Sequence, residues 1–309
     1  MTASRGLRLR QIHATALLLT ALSLAVVLLS AYLRLDGAGL GCPDGPGCYG
    51  KLLHGEPEPQ AFGLARLVHR LVASLFLLLT CYLAWLAWRR PSVPQAARPA
   101  TLLLLLTLAL AILGFWSADP RLLLVGFLNI IGGLALVSCS WRVVLASRPG
   151  STLESASAPT LALRLGAVAL SLTVILGALI GAGYAALACP SFPACGGLWW
   201  PPASGWAALP QSFARLAAAP HAGDAGAITL NLLHRWTAVG SLLLLGAAAL
   251  PALGREPARP AALALLSLLV AETALGSLTV ISGFSLWLAI GHGVGAALLL
   301  ATLVTLRRR

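Results

Sequence analysis

The stretch Asn231-Leu232-Leu233-His234-Arg235-Trp236 lies near the start of a long apolar run, and Leu67-Val68-His69-Arg70 lies near the start of an earlier one. A histidine followed by an arginine within a hydrocarbon-length segment is costly unless the side chains have partners or a function. The recurrence of this pair predicts that the chain contains two copies of one membrane-spanning unit, each organised around its histidine.

The composition is that of an integral membrane protein. The chain has 309 residues, of which 59% are hydrophobic and only 10% are charged, far from the values of soluble domains. About 20 apolar residues of helix cross a bilayer core. The sequence therefore predicts an all-α polytopic membrane protein with eight transmembrane helices, the first retained rather than cleaved as a signal peptide. The eight apolar runs lie near residues 13–33, 64–88, 100–117, 122–146, 161–184, 228–251, 261–281 and 285–306.

The formal net charge of +12 is explained by membrane topology rather than by nucleic-acid binding. Basic residues accumulate in the cytoplasmic loops of membrane proteins. This rule predicts a bacterial inner (plasma) membrane protein with both termini in the cytoplasm, with bilayer lipid and no nucleic acid as its surroundings. The arginines that then fall on the cytoplasmic side are Arg5, Arg8, Arg10, Arg89, Arg90, Arg98, Arg142, Arg148, Arg164, Arg255, Arg259, Arg307, Arg308 and Arg309.

Two further repeats support the division of the chain into matched halves. The predicted external loops carry Cys42-Pro-Asp-Gly-Pro-Gly-Cys48 and Cys189-Pro-Ser-Phe-Pro-Ala-Cys195, and the fourth and eighth runs share a pattern that begins at Asn129 and at His292. Four spans per unit give both units the same orientation, as in parallel repeats. We predict two pseudosymmetric four-helix bundles in tandem, residues 1–148 and 160–309, joined by a cytoplasmic linker at 149–159.

The cysteines have different expected roles according to their position. A disulfide within each external pair, Cys42–Cys48 and Cys189–Cys195, is favoured because the compartment is oxidising and prolines bend each short interval. A metal site and cross-pairing between the two loops are the alternatives. Cys81 and Cys139 lie inside apolar runs, and we expect them to be packing residues.

Four positions, His69, Asn129, His234 and His292, share one depth, roughly 8–11 Å below the external boundary at the rise of an α-helix. Neutral imidazole is a good ligand for haem iron, and four-helix bundles hold cofactors between facing helices. The pattern predicts one haem per unit, with His234 and His292 as axial ligands in the second unit. In the first unit His69 faces Asn129, whose amide is a poor ligand. The alternative for each histidine is hydrogen-bonded packing.

Three ionisable residues near these positions have two interpretations each. Arg70 and Arg235 are either anchors at the membrane interface or partners of haem propionates, since guanidinium pairs bidentately with carboxylate. Glu272 lies within the seventh run, where an unpaired carboxylate is costly. It is therefore either a proton relay or a neutral, hydrogen-bonded side chain.

Together these features resemble the haem A synthase family, in its form with two cysteine pairs, over nearly the whole chain. The resemblance implies an eight-helix pseudosymmetric bundle whose C-terminal half holds haem b between His234 and His292. The N-terminal half, with His69 as the ligand of the substrate haem, takes haem o and oxidises a ring methyl to a formyl group, giving haem a for terminal oxidases. Haem O synthase, an electron donor and a second copy of the chain are the implied partners. The motifs that carry the resemblance are 37–50, 184–195, Trp199-Trp200-Pro201, the two His-Arg pairs and His292.

The chain departs from the family pattern in the substrate half. Arg66 stands where the family has a glutamate, Asn129 replaces the fourth-span histidine, and Gly45 replaces a tryptophan. Three functions follow as expectations. The first is a synthase in which His69 alone holds the substrate iron, the second is a non-catalytic haem carrier or oxidase-assembly factor, and the third is a haem b electron-transfer protein.

Overall fold

The helix is the dominant secondary structure in the part of the chain that the computed structural model describes, residues 2–38, 40, 63–90, 92–116, 122–148, 160–214, 223–256 and 258–306. Eight helices in these ranges are long and apolar enough to cross a membrane, which confirms the predicted all-α class and the eight spans. A ninth, α6, is short. The helices are α1 (Thr2–Gly37), α2 (Gly63–Trp88), α3 (Pro94–Leu113), α4 (Leu123–Ala146), α5 (Leu161–Ala182), α6 (Ala203–Ala214), α7 (Ala225–Ala249), α8 (Arg259–Ile281) and α9 (Leu286–Leu306).

The predicted boundaries differ from the observed ones most at the first and third spans. α1 extends beyond 13–33 on both sides, because hydropathy detects only the apolar centre of a helix. α3 begins at Pro94 rather than at residue 100, since proline is well accommodated in the first turn. α5 ends at Ala182, and Tyr184 adopts a left-handed conformation with φ of 53° that turns the chain out of the helix.

The helices that carry the four predicted positions lie across the bundle from one another. In the first half α1 and α3 each pack against both α2 and α4, so α2 and α4 lie on opposite sides. In the second half α7 packs against α5 and α8, and α9 packs against α8. α4 also contacts α5 and α9, and α1 contacts α9, so the halves share an extensive interface.

The largest apolar cluster of each half lies away from the predicted ligands. We call the end at which α2, α4, α7 and α9 begin the histidine end. In α2 the buried residues begin only at Phe76 and continue to Ala87. In the second half Leu245 of α7 and Leu265 of α8 are fully buried in one cluster with Leu303, near the end of α9. These clusters hold the helices together at the far end, and a smaller apolar cluster of Cys189, Cys195 and Leu232 lies near His234.

The cysteines follow the predictions in part. Cys189 and Cys195 form a disulfide, with Cα atoms 5.1 Å apart. Cys139 packs against the core of the first half, as predicted, but Cys81 is exposed on the surface of α2, so its predicted packing role was wrong. Cys42 and Cys48 lie outside the described residues, as does the predicted linker 149–159, and the division into two tandem units remains a prediction.

Candidate functional site

The rings of His234 and His292 face each other at the histidine end of the second half. His234 extends from α7 and His292 from α9, and their ring centroids lie 6.3 Å apart with an interplanar angle of 88°. Both side chains are half-buried. The structure thus brings together the two residues that the sequence predicted as a pair of axial ligands.

The His234 ring is oriented by α5. Its Nδ1 lies 2.9 Å from the backbone oxygen of Thr173, and because a carbonyl only accepts, Nδ1 carries the proton and donates. The ring also lies against Gly177, one turn further along α5, where an added Cβ would come within 3.0 Å of the His234 ring. These contacts fix the tautomer and leave Nε2 unprotonated for a metal.

The His292 ring is oriented by α8 in the same manner. Its Nδ1 lies 2.9 Å from Glu272 Oε2, and the ring lies against Gly276, where an added Cβ would be 3.1 Å away. The N–H direction is not well aligned with the carboxylate, so neither His292 Nδ1 nor Glu272 Oε1 makes a hydrogen bond within the described residues. A small rotation of the ring or the carboxylate would complete the Nδ1–Oε2 hydrogen bond and leave Nε2 for a metal.

The paired imidazoles fit a haem iron. A metal–imidazole bond is about 2 Å long and a ring nitrogen lies about 1 Å from its centroid, so two rings coordinating one metal from opposite sides have centroids about 6 Å apart. The observed separation is 6.3 Å. Since each Nδ1 is turned toward an acceptor on a neighbouring helix, the chemistry of His234 and His292 fits a haem iron.

The first half has a different set of side chains at the equivalent place. His69 and Asn129 are half-buried, and Arg66 is exposed. Within the described residues no hydrogen bond or ring contact joins His69 to Asn129. Three residues after Asn129, Gly132 receives the side chain of Leu110 from α3, which occupies the space of a Cβ.

Gly295, three residues after His292, receives the side chain of Glu272 from α8 in the same manner. Leu110 therefore occupies in the first half the place that Glu272 occupies in the second. Asn129 and Leu110 thus stand in the first half where His292 and Glu272 stand in the second.

A folded segment, residues 183–214, covers the start of α7, and we call it the cap. Arg235 donates hydrogen bonds to the backbone oxygens of Pro193 at 2.9 Å and Ala194 at 3.3 Å and lies over the Phe192 ring. The observed role of Arg235 is therefore to anchor the cap beside His234. Arg70 is exposed, and residues 41–62, the preceding loop, lie outside the described residues.

Further contacts hold the cap against α7. Trp236 donates to the backbone oxygen of Trp199 at 2.8 Å, and the buried Asn231 donates to that of Ala185 at 2.9 Å. Within the cap, burial raises the pKa of the Tyr184 phenol, and the positive charge of Arg34 opposes part of this rise. Side-chain hydrogen bonds from α7 thus hold the cap at the histidine end.

Comparison with known proteins identifies the family. The model of the family described as COX15-CtaA, cytochrome oxidase assembly protein, matches residues 14–304. The chain belongs to this family. A haem A synthase from Shewanella oneidensis is 31% identical over 312 aligned positions, which cover 92% of each chain. A haem A synthase from Rhizorhabdus wittichii is 30% identical over 178 positions, covering 57% of this chain and 48% of its own length.

Sequence reasoning on this COX15-CtaA member missed the helices that orient the histidines. Thr173 and Glu272, the two Nδ1 acceptor residues, each stand four residues before the glycine under the ring, in the patterns Thr-Val-Ile-Leu-Gly177 and Glu-Thr-Ala-Leu-Gly276. A third copy, Leu-Ala-Ile-Leu-Gly114, contains Leu110. This recurring Leu-Gly pair marks the helices that face His234 and His292, and its third copy marks the helix that contacts α4 at Gly132.

Proposed function

We propose that this protein is a haem A synthase, an oxidoreductase that converts a ring methyl of haem o to a formyl group and supplies haem a to terminal oxidases. The observation that carries the proposal is the facing pair His234 and His292, each ring oriented through Nδ1. Similarity to the Shewanella oneidensis haem A synthase over 92% of the chain supports the same activity.

In this proposal the second half holds the resident cofactor, haem b. His234 and His292 bind its iron, and Arg235 keeps the cap closed over the His234 side of the site. The bound haem supplies one-electron transfer to the reaction in the other half. The glycines beneath the two rings allow α5 and α8 to approach the imidazoles closely. This close approach limits the rotation of the two imidazole rings.

The first half is the proposed substrate site, with His69 on one side of the haem o iron. Asn129 stands on the opposite side and leaves that axial position without a strong protein ligand. Arg66 favours the anionic propionates of the substrate but does not serve as a general base at neutral pH. We therefore expect slow conversion of haem o by the unmodified chain.

A second candidate function, a non-catalytic haem-binding protein for transport or oxidase assembly, is favoured by one observation. Leu110 fills the niche over Gly132, so the positions equivalent to His292 and Glu272 hold an asparagine and a leucine. Such a protein would hold haem b in the second half and carry haem o without oxidising it.

We further propose that the chain lies in a bacterial inner membrane with both termini in the cytoplasm. The concentration of arginine in the loops and termini opposite the histidine end supports this orientation. The histidine end and the cap then face the oxidising side, in agreement with the Cys189–Cys195 disulfide. Haem O synthase and an electron donor are the proposed partners, as is a second copy of the chain.

Co-expression with a haem O synthase, followed by chromatography of the extracted haems, tests the function. A synthase yields haem a above the level given by haem O synthase alone, and a variant with His69→Ala yields none. Purified protein that carries haem b and haem o but never produces haem a, even with electron donor and oxygen supplied, supports the carrier function instead.

A further inference from the structure

We infer that Glu272 is a positioning residue for the axial ligand His292, and that Gly295 exists to admit its carboxylate. The inference deepens the proposed function, on whose haem b site it depends. In this inference Glu272 orients the His292 ring and makes it a more basic ligand, and it does not act as a proton relay.

The geometry around Glu272 carries the first step. The residue is 8% exposed, lies on α8, and places Oε2 2.9 Å from His292 Nδ1. Its carboxylate occupies the space that a side chain at position 295 would need. A buried carboxylate in a membrane helix is costly without a partner, and the imidazole N–H is the partner within reach.

The comparison of the two ligands carries the second step. His234 Nδ1 donates to a neutral backbone carbonyl, whereas His292 Nδ1 faces a carboxylate. A carboxylate acceptor makes an imidazole a more basic ligand and fixes its orientation. His234 and His292 are therefore unequal as ligands, and a negatively charged Glu272 would favour the ferric over the ferrous state of a bound haem.

The first half supplies a template for the critical variant. Leu110 packs over Gly132 as Glu272 packs over Gly295, so the fold already accommodates a leucine in this niche. Glu272→Leu is therefore expected to fold and to lack only the acceptor for Nδ1. Glu272→Gln retains an oxygen acceptor and lacks the charge, which separates orientation from electronic tuning. Val270→Leu, on an exposed position of the same helix, is the matched control.

The experiment uses the full-length, haem-loaded protein in detergent, with three readouts: the visible and electron paramagnetic resonance spectra, the midpoint potential, and the rate of haem transfer to an apo-globin. Loss of an outer hydrogen-bond partner typically weakens metal binding by about 10–100-fold, so Glu272→Leu should lose haem at least ten times faster and show high-spin iron. Glu272→Gln should stay low-spin with a more positive potential. Val270→Leu should match the parent.

Two results overturn different claims. If the parent is low-spin and Glu272→Leu matches it in spectrum, potential and transfer rate, Glu272 has no positioning role. If the parent itself shows no low-spin haem, the proposed haem b site is wrong.

Discussion

The two halves of the molecule place different residues at equivalent positions. In the second half, His234 and His292 face each other and Glu272 approaches the second ring over Gly295. In the first half, His69 has Asn129 as its counterpart, and Leu110 lies over Gly132. In both halves a helix that carries a Leu-Gly pair packs against a helix that carries one of the matched positions. These contacts join α3 to α4, α5 to α7, and α8 to α9.

The difference shows that a ligand and the residue that orients it change together. An imidazole in an apolar bundle needs an acceptor for Nδ1, and a buried carboxylate needs a donor. Where the histidine is replaced by asparagine, the carboxylate would be an uncompensated charge, and a leucine fills its place. On the proposed function, the second half would retain a cofactor, and the first half would bind a haem weakly and release it.

The largest effect is expected from restoring the family pattern in the first half. Arg66→Glu together with Asn129→His should raise the yield of haem a severalfold over the unmodified chain, because a carboxylate and a second imidazole then act on one bound substrate. Each single replacement should contribute less than half of the gain, since neighbouring changes are not additive. Haem chromatography after co-expression with haem O synthase measures the yield.

Leu110→Glu sharpens this comparison. Added to Asn129→His, it supplies the new imidazole with the acceptor that His292 has in Glu272, and the fraction of low-spin haem in the first half should rise further. Leu110→Glu alone leaves a buried carboxylate without a donor and should lower thermal stability. Equal stability of the single and the combined variant would show that the two halves are not equivalent here.

A smaller effect is expected from filling the niche of Glu272. Gly295→Ala places a methyl group where the carboxylate lies, so Glu272 must move and His292 loses its fixed orientation. Overpacking of this kind costs about 1–3 kcal/mol, and the haem spectrum should become a mixture of spin states. Gly293→Ala, on the same helix with open space at its Cβ position, is the control and should leave both spectrum and thermal stability unchanged.

The smallest effect is expected at the arginines that follow the histidines. Arg235→Ala removes the donors to the carbonyls of the cap, and loss of such charged hydrogen bonds costs about 1–3 kcal/mol. Limited proteolysis within residues 183–214 should become faster while the haem spectrum is retained. Arg70→Ala provides the comparison in the first half and should leave proteolysis of the cap unchanged.

The sequence predicted the features that depend on composition and repetition. Eight spans follow from apolar length, and the His234–His292 pair follows from matched positions in a repeat. The partner of Glu272 did not follow, because α8 is apolar on all sides and has no stripe that fixes its rotation in the bundle. The role of Arg235 and the folded cap depend on contacts between distant segments, which local patterns do not encode.

The most direct test of the asymmetry is the amount of low-spin haem per chain in three variants purified under the same conditions. His234→Ala and His292→Ala should each lose the low-spin signal, because either one removes a ligand from the pair. His69→Ala should retain it at the parent level of one haem per chain. Loss of the signal in His69→Ala, with retention in His234→Ala and His292→Ala, would contradict the account by placing the tightly held haem in the first half.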